Sequence, residues 1–307
     1  MKILVTGGAG FIGSNVVDAL VSAGHDVVVV DDLSSGKREN LNPKARFHQV
    51  DIRTPRIAEI VRDEHPDVVS HHAAQMDVRR SVADPVFDAE TNVIGLVRLL
   101  EASRDAKVRR FLFASSGGAA YGEQECFPAR EGDRTNPLSP YGVSKRAGEH
   151  YLFCYHALWG LSYVALRYAN VYGPRQDPHG EAGVVAIFTQ RLLRGESPTI
   201  NGDGLQTRDY VYVGDVVEAN LRAVESALIG PINIGTGRET DVNRLAAELI
   251  RLSGTGIEAR HGPPKPGEQR RSLLDSSLAR KELGWAPTVA LEEGLRRTFE
   301  WFREKVR

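Results

Sequence analysis

The chain of 307 residues is short of several things, and each shortage excludes a class of protein. Its two cysteines, Cys126 and Cys154, form neither a C-x-x-C pair nor a disulfide framework, so the expected setting is a reducing compartment with both thiols in packing roles. Charge of neither sign is in excess: 39 basic and 40 acidic side chains leave a formal net charge of -1. Without a basic excess, nucleic acid is not an expected partner. No apolar run is long enough to span a bilayer, and Met1-Lys2-Ile3-Leu4-Val5 enters a glycine loop too soon to be a signal peptide. The expected location is the cytoplasm, away from any membrane. Internal repeats and low-complexity tracts are absent as well. What is left is a globular chain, 41% hydrophobic, long enough for one large α/β domain or two closely packed ones.

Ile3-Leu4-Val5 is the short apolar run of a buried parallel strand. It leads into Thr6-Gly7-Gly8-Ala9-Gly10-Phe11-Ile12-Gly13, which satisfies both G-x-x-G-x-x-G and G-x-G-x-x-G, and then into the helical pattern Val16, Val17, Leu20, Val21. Between strand and helix, such glycines permit a tight turn, let the backbone approach a pyrophosphate, and present helix N–H groups to it. Val27 to Val30 forms the next strand and ends in Asp31-Asp32, at the ~20-residue offset where an acid bonds a ribose hydroxyl. Asp31 would repel a 2′-phosphate, so NAD is expected; Lys37 and Arg38 are the neighbours that favour NADP. Asp32 reads equally as a solvated strand-end acid.

The βαβ rhythm continues through a strand at Phe47 to Ile52, a helix at Arg56 to Glu64 and a strand at Asp67 to Ser70. A long helix is expected from Phe87 to Arg104, with a fifth strand at Arg110 to Ala114. His71 and His72 are strand neighbours facing opposite ways, so no metal site is expected there. Ala73 and Ala74 are small, as a backbone passing close to a ligand requires. The most chemically suggestive stretch is Ser139-Pro140-Tyr141-Gly142-Val143-Ser144-Lys145. On a helix, a four-residue step places Tyr141 and Lys145 on one face. The ammonium is then expected to lower the phenol pKa, making Tyr141 a general base toward an alcohol. Taken alone, the spacing reads more often as a surface tyrosine beside a solvated lysine.

Context comes from Ser115-Ser116-Gly117-Gly118-Ala119-Ala120-Tyr121-Gly122, which ends the fifth strand. The glycine loop, this serine-bearing strand end and the Tyr141/Lys145 helix follow the order of the extended short-chain dehydrogenase/reductase family. With Arg167-Tyr168-Ala169-Asn170-Val171-Tyr172-Gly173-Pro174-Arg175-Gln176, nearly the whole chain resembles nucleotide-sugar epimerases, most closely the bacterial and archaeal UDP-galactose (UDP-glucose) 4-epimerases. The βαβ pattern breaks at Tyr172. Residues 1–171 are therefore expected to form an NAD-binding, Rossmann-type doubly wound parallel sheet, and 172–307 a smaller C-terminal α/β substrate domain, with 209–235 returning to the main sheet. In that second part, helices are expected at Val184 to Arg194, Val216 to Ala227 and Arg244 to Leu252, and strands at Arg208 to Val213 and Ile232 to Ile234.

The resemblance implies a tightly held NAD and a redox-neutral inversion at C4 of a UDP-hexose, UDP-glucose to UDP-galactose, with UDP-N-acetylglucosamine or UDP-glucuronate as the alternative substrate and Tyr141, Lys145 and Ser116 as the catalytic residues. It implies a cofactor site lined by Gly7, Gly10, Phe11, Ile12, Gly13, Asp31, Asp32, Asp51, Ile52, Ala73, Ala74, Gln75, Asn92, Tyr141, Lys145 and Tyr168. The substrate would meet Ser116, Gly117, Tyr141, Asn170, Arg208, Lys265 and Ser272, and the protein would be a homodimer. Two positions depart from the usual pattern: Gly117 stands where the family's catalytic hydroxyl usually lies, passing that role to Ser116, and Lys265 stands where an arginine is usual. Gly118 and Ala119 cannot transfer protons, which argues against a 4,6-dehydratase and against a decarboxylase. An intact tyrosine and lysine argue against a non-catalytic NAD(P) sensor.

Overall fold

The computed structural model describes residues 1–178, 183–265 and 269–306. The first part of the chain gives β1 (Lys2–Thr6), α1 (Phe11–Ser22), β2 (Asp26–Asp31), β3 (Arg46–Gln49), α2 (Arg56–Glu64) and β4 (Val68–His71). There follow α3 (Val78–Ala83), α4 (Pro85–Ala89), a π-helical segment (Glu90–Ile94), α5 (Gly95–Asp105), β5 (Arg110–Ser116), α6 (Gly117–Tyr121), α7 (Pro140–Trp159), β6 (Ser162–Tyr168) and β7 (Asn170–Tyr172). The remainder gives α8 (Val184–Leu193), β8 (Thr199–Asn201), β9 (Thr207–Tyr212), α9 (Val213–Glu225), β10 (Gly230–Ile234) and β11 (Glu239–Asp241). Last come α10 (Val242–Ser253), β12 (Arg260–Gly262), α11 (Ser277–Leu283) and α12 (Leu291–Val306).

Seven strands form the main sheet in the order β10-β6-β5-β4-β1-β2-β3, all parallel. Strand alternation divides the apolar runs between its faces. Ile3, Val5, Val27, Val29 and Leu112 pack with Val16, Val17 and Leu20 of α1 and Val216, Ala219 and Ala223 of α9. Leu4, Val28, Val30, Phe111 and Phe113 pack with Ile57 and Ile60 of α2, Leu96, Leu99 and Leu100 of α5 and Leu152 of α7. Each of these valines, leucines, isoleucines and phenylalanines contributes about 1.5–3 kcal/mol when buried, and two full faces explain why these strands are runs of apolar residues. The fold is the doubly wound α/β class, with β10 taking the seventh place beside β6.

A smaller assembly lies beside it. The three-stranded β11-β9-β7 sheet and the β12-β8 pair accompany a third core in which Val185 and Phe188 of α8, Leu245 and Leu249 of α10 and Leu295 and Phe299 of α12 meet. His179 to Glu181, expected near the start of this region, and the Gly267-Glu268 turn lie outside the described residues.

Two expectations are corrected. The helix read as continuous from Phe87 to Arg104 is three pieces, α4, the π-helical segment and α5. Asp84 caps α4 by accepting from Phe87 N, and Pro85 occupies its first turn; a 3.6-residue apolar period survives one π turn, so periodicity alone does not reveal it. The third strand stops at Gln49 rather than Ile52, because Asp51 turns to its own neighbour Arg53.

Candidate active site

Most of the expected site residues lie at or just beyond the carboxyl ends of β1, β2, β4, β5 and β6, where open α/β sheets bind ligands. The floor of this region is the loop from β1 to α1, where a Cβ on Gly13 would stand 2.2 Å from Gly7 O and one on Gly7 would stand 2.5 Å from Ala73 N. Those approaches demand glycine and bring the Ala73 backbone against the loop. No side chain caps α1 behind Gly10, which leaves its N-terminus to a ligand, with Phe11 and Ile12 half-buried in the first turn. Asp31 accepts from Ala9 N at 2.9 Å and Leu33 N at 2.8 Å; burial raises its carboxyl pKa and those bonds oppose the rise. Asp32 is exposed and accepts from Ser34. Asp51 is held by Arg53 below the ordinary carboxylate range, and Ile52 is buried beside α5. The close-packed glycines and the acid ending β2 fit a dinucleotide.

On the opposite wall, Ser139 caps α7 by accepting from Gly142 N, and Pro140 sits in the first turn. Tyr141 and Lys145 therefore share a face, with Lys145 Nζ 5.7 Å from the tyrosine ring centroid, 4.9 Å from the Phe113 ring centroid and 2.9 Å from Ala114 O, to which it donates. The expected fall in the Tyr141 pKa does not occur in the protein alone. Burial pushes the phenol up to about 12, the Asp88 charge adds to the rise, and a hydrogen bond with Ser116 pulls the other way. Lys145, 4% exposed, is drawn down to about 8 by burial, and Asp88 opposes that shift. Loss of water around both groups outweighs their mutual spacing.

Ser116 ends β5 and caps α6, its hydroxyl accepting from Ala119 N at 3.2 Å. A Cβ on Gly117 would stand 2.5 Å from Leu274 Cδ1, and one on Gly118 would stand 3.7 Å from Ser272 Oγ. Ser272 and Leu274 thus point together at the serine segment, in a register fixed by Ser272 N donating to Thr207 O at 3.2 Å. Arg208 is half-buried on β9 and donates to Thr207 O. Its neighbour Asp209 faces the other way, accepting from Thr236 and Gly237. Asn170 opens β7, and Lys265 is exposed.

Three expected cofactor residues, Tyr168, Asn92 and Gln75, have buried side chains committed elsewhere, that of Gln75 to Asp77 and Asp88. The Tyr168 ring lies in the core and its hydroxyl pairs with Asn220 of α9 at 3.0 Å, so only its backbone, opposite Ser116 across the sheet, lies at the strand ends. Asn92 clasps Gln75, its Oδ1 accepting from Gln75 N and its Nδ2 donating to Gln75 O. The two histidines face opposite ways, His71 toward Thr6 and His72 toward Ser70. Sequence reading missed the support beneath the site: Glu149, 4% exposed, accepts from Arg167 at 3.0 and 2.7 Å and from Ser115 at 2.6 Å. Burial alone would raise its pKa, and these bonds outweigh that and lower it. Glu149 lies one turn beyond Lys145, a signal visible only as the spacing K-x-x-x-E.

A family model described as NAD dependent epimerase/dehydratase matches residues 3–235. The chain belongs to this family. It is 50% identical to the UDP-glucose 4-epimerase of Mycolicibacterium smegmatis, with 99% of each chain covered. The UDP-glucose 4-epimerase of Thermotoga maritima, solved with UDP-glucose, is 52% identical with a TM-score of 0.98 over 100% of both chains. The Thermus thermophilus UDP-glucose 4-epimerase, solved with NAD, is 47% identical with a TM-score of 0.95 over 99% of both. The glycine loop and the Tyr141/Lys145 helix both lie within the matched residues.

Proposed function

We propose that the protein interconverts UDP-glucose and UDP-galactose by NAD-dependent inversion at C4, through a 4-keto sugar. The observation that carries this is Tyr141, Lys145 and Ser116 meeting at the end of β5, opposite the dinucleotide loop. Full-length similarity to UDP-glucose 4-epimerases supports the choice of substrate. When bound, NAD supplies the acceptor and donor of the C4 hydride and, oxidised, a second positive charge beside the phenol. Gly7, Gly10, Gly13 and Asp31 hold it, with the loop at Ala73 to Gln75. Tyr141 takes the proton of the sugar 4-hydroxyl and later returns it, Ser116 donates a hydrogen bond that stabilises the oxygen charge, and Lys145 supplies a fixed positive field. Asn170, Arg208 and Lys265 grip the nucleotide, Arg208 by the fork geometry that suits phosphate, and Ser272 borders the sugar. The protein should convert UDP-glucose to UDP-galactose with no cofactor added, followed by NMR of the product; a requirement for continuous NADH would contradict the reading.

The working form is proposed to be a homodimer in the cytoplasm. Val82 (63% exposed), Val86 (67%) and Ile94 (47%) lie on α3, α4 and the π-helical segment, and Phe153 (61%), Leu158 (64%) and Trp159 (49%) lie on α7, packed beside them. An apolar patch spread over adjacent helices is the mark of an interface, and a second copy presents the same patch. Light scattering is expected to give the mass of two chains at micromolar concentration; a monomer would refute it.

A further inference from the structure

Asp88, on the short helix α4, is fully buried at 0% exposure. Its carboxylate takes three hydrogen bonds, all from neutral donors. Oδ1 accepts from Gln75 Nε2 at 3.0 Å and Asn92 Nδ2 at 3.0 Å, and Oδ2 accepts from Ser144 Oγ at 2.6 Å. Those donors come from three places that must agree for the site to exist: the loop after β4, the π-helical segment and the N-terminal part of α7. Ser144 lies between Tyr141 and Lys145 in the chain. A buried carboxylate is costly unless it is hydrogen-bonded and offset by a charge.

We propose that Asp88 is the positioning residue of this site: through Ser144 it fixes the turn of α7 that carries Tyr141 and Lys145, and its buried negative charge is the counter-charge of the Lys145 ammonium. The titratable groups around it are Tyr141 and Lys145 on α7 and, beyond Lys145, His71 and His72 on β4. Burial, with the Lys145 charge, holds His71 well below its ordinary value and His72 at about 3, so both are neutral and Lys145 is the cation of the group. The Asp88 charge acts on both members of the pair in one direction, favouring the protonated form of the phenol and of the amine. It thereby keeps the ammonium charged in a dry site, and it raises the proton affinity of the phenolate that takes the hydroxyl proton. A π-helical turn beside a functional group is a frequent arrangement, and here it brings Asn92 onto the same carboxylate oxygen as Gln75.

The inference rests on the proposed role of Tyr141 as proton carrier. Asp88→Asn removes the charge while keeping the shape: the carboxamide oxygen still accepts from Gln75 and Asn92, and its NH₂ donates to the Ser144 hydroxyl, which can turn to accept. In the epimerase assay, both limbs of the pH profile of kcat are expected to move to lower pH by about one unit, the size of a partly screened charge pair. Limbs that stay in place, with or without lower activity, would overturn the counter-charge role. Ser144→Ala keeps the charge and cuts the tether; kcat should fall several-fold with KM and both limbs unchanged, and Ser144→Thr should restore it. Unaltered kcat in Ser144→Ala would overturn the positioning role even if Asp88→Asn did not fold. Tyr141→Phe separates the two levels: if it kept wild-type turnover, the proton-carrier reading itself would fail, whereas a dead Tyr141→Phe beside an Asp88→Asn of unmoved limbs would sink the Asp88 proposal alone.

Discussion

Lys145 and Arg270 are both cations influenced by a carboxylate, and they live in different media. Around Lys145 the exposures are 4% for the lysine, 0% for Asp88, 4% for Glu149 and 2% for Arg167. On the segment that leads to Ser272, Arg270 grips Asp203 with side chains 60% and 52% exposed, and Arg271 grips Glu239 at 46% and 26%. A charge pair about 4 Å apart gains roughly 1 kcal/mol in water and roughly 4 kcal/mol at the effective dielectric of a protein. The dry wall can therefore move pKa values and proton positions, which the chemistry needs. The wet segment supplies grip that salt weakens. On the proposed roles, chemistry and recognition are divided by access to water.

The largest effects are expected on the dry wall. Tyr141→Phe is expected to lower kcat by about 10²–10⁴-fold while NAD stays bound, and Ser116→Ala to cost less, because its hydroxyl only supports the proton path; turnover together with NAD released on denaturation checks both, and near-normal turnover in Tyr141→Phe contradicts the assignment. Between the two media lies Ser272, 3% exposed and beside Gly118. The wild type is expected to epimerise UDP-N-acetylglucosamine as well as UDP-glucose, and Ser272→Tyr to abolish the first while sparing the second, since packed interiors hold no spare room for an acetamido group. Equal loss of both would show that Ser272 does not border the sugar. At the wet end the effect is smallest: Lys265→Ala should raise KM a few-fold at unchanged kcat, with the difference fading as salt rises. A change confined to kcat would place Lys265 in the chemistry instead.

What could be read from the residues was local. The glycine loop, the strand-end acid and the Y-x-x-x-K step each lie within a few positions, and a contiguous motif announces the geometry that it needs. The supports were unreadable because their partners are distant: Asp88 meets Ser144 across 56 positions, and Arg167 meets Tyr121 across 46. The direction of the Tyr141 shift failed for a related reason. Four residues of sequence contain the lysine, but burial and the carboxylate on α4 belong to the tertiary structure. The short helix α6 went unseen because Gly117-Gly118-Ala119-Ala120 carries no apolar period, and its cap, Ser116, was read for chemistry alone.

That the hydride leaves C4 and returns to it within one site is tested by supplying UDP-glucose labelled with deuterium at C4 in ordinary water with no cofactor added. UDP-galactose should form with the label fully retained at C4, because the hydride never exchanges with solvent while Tyr141 handles only the hydroxyl proton. Loss of deuterium to water, or accumulation of an oxidised sugar in place of the epimer, would contradict the account.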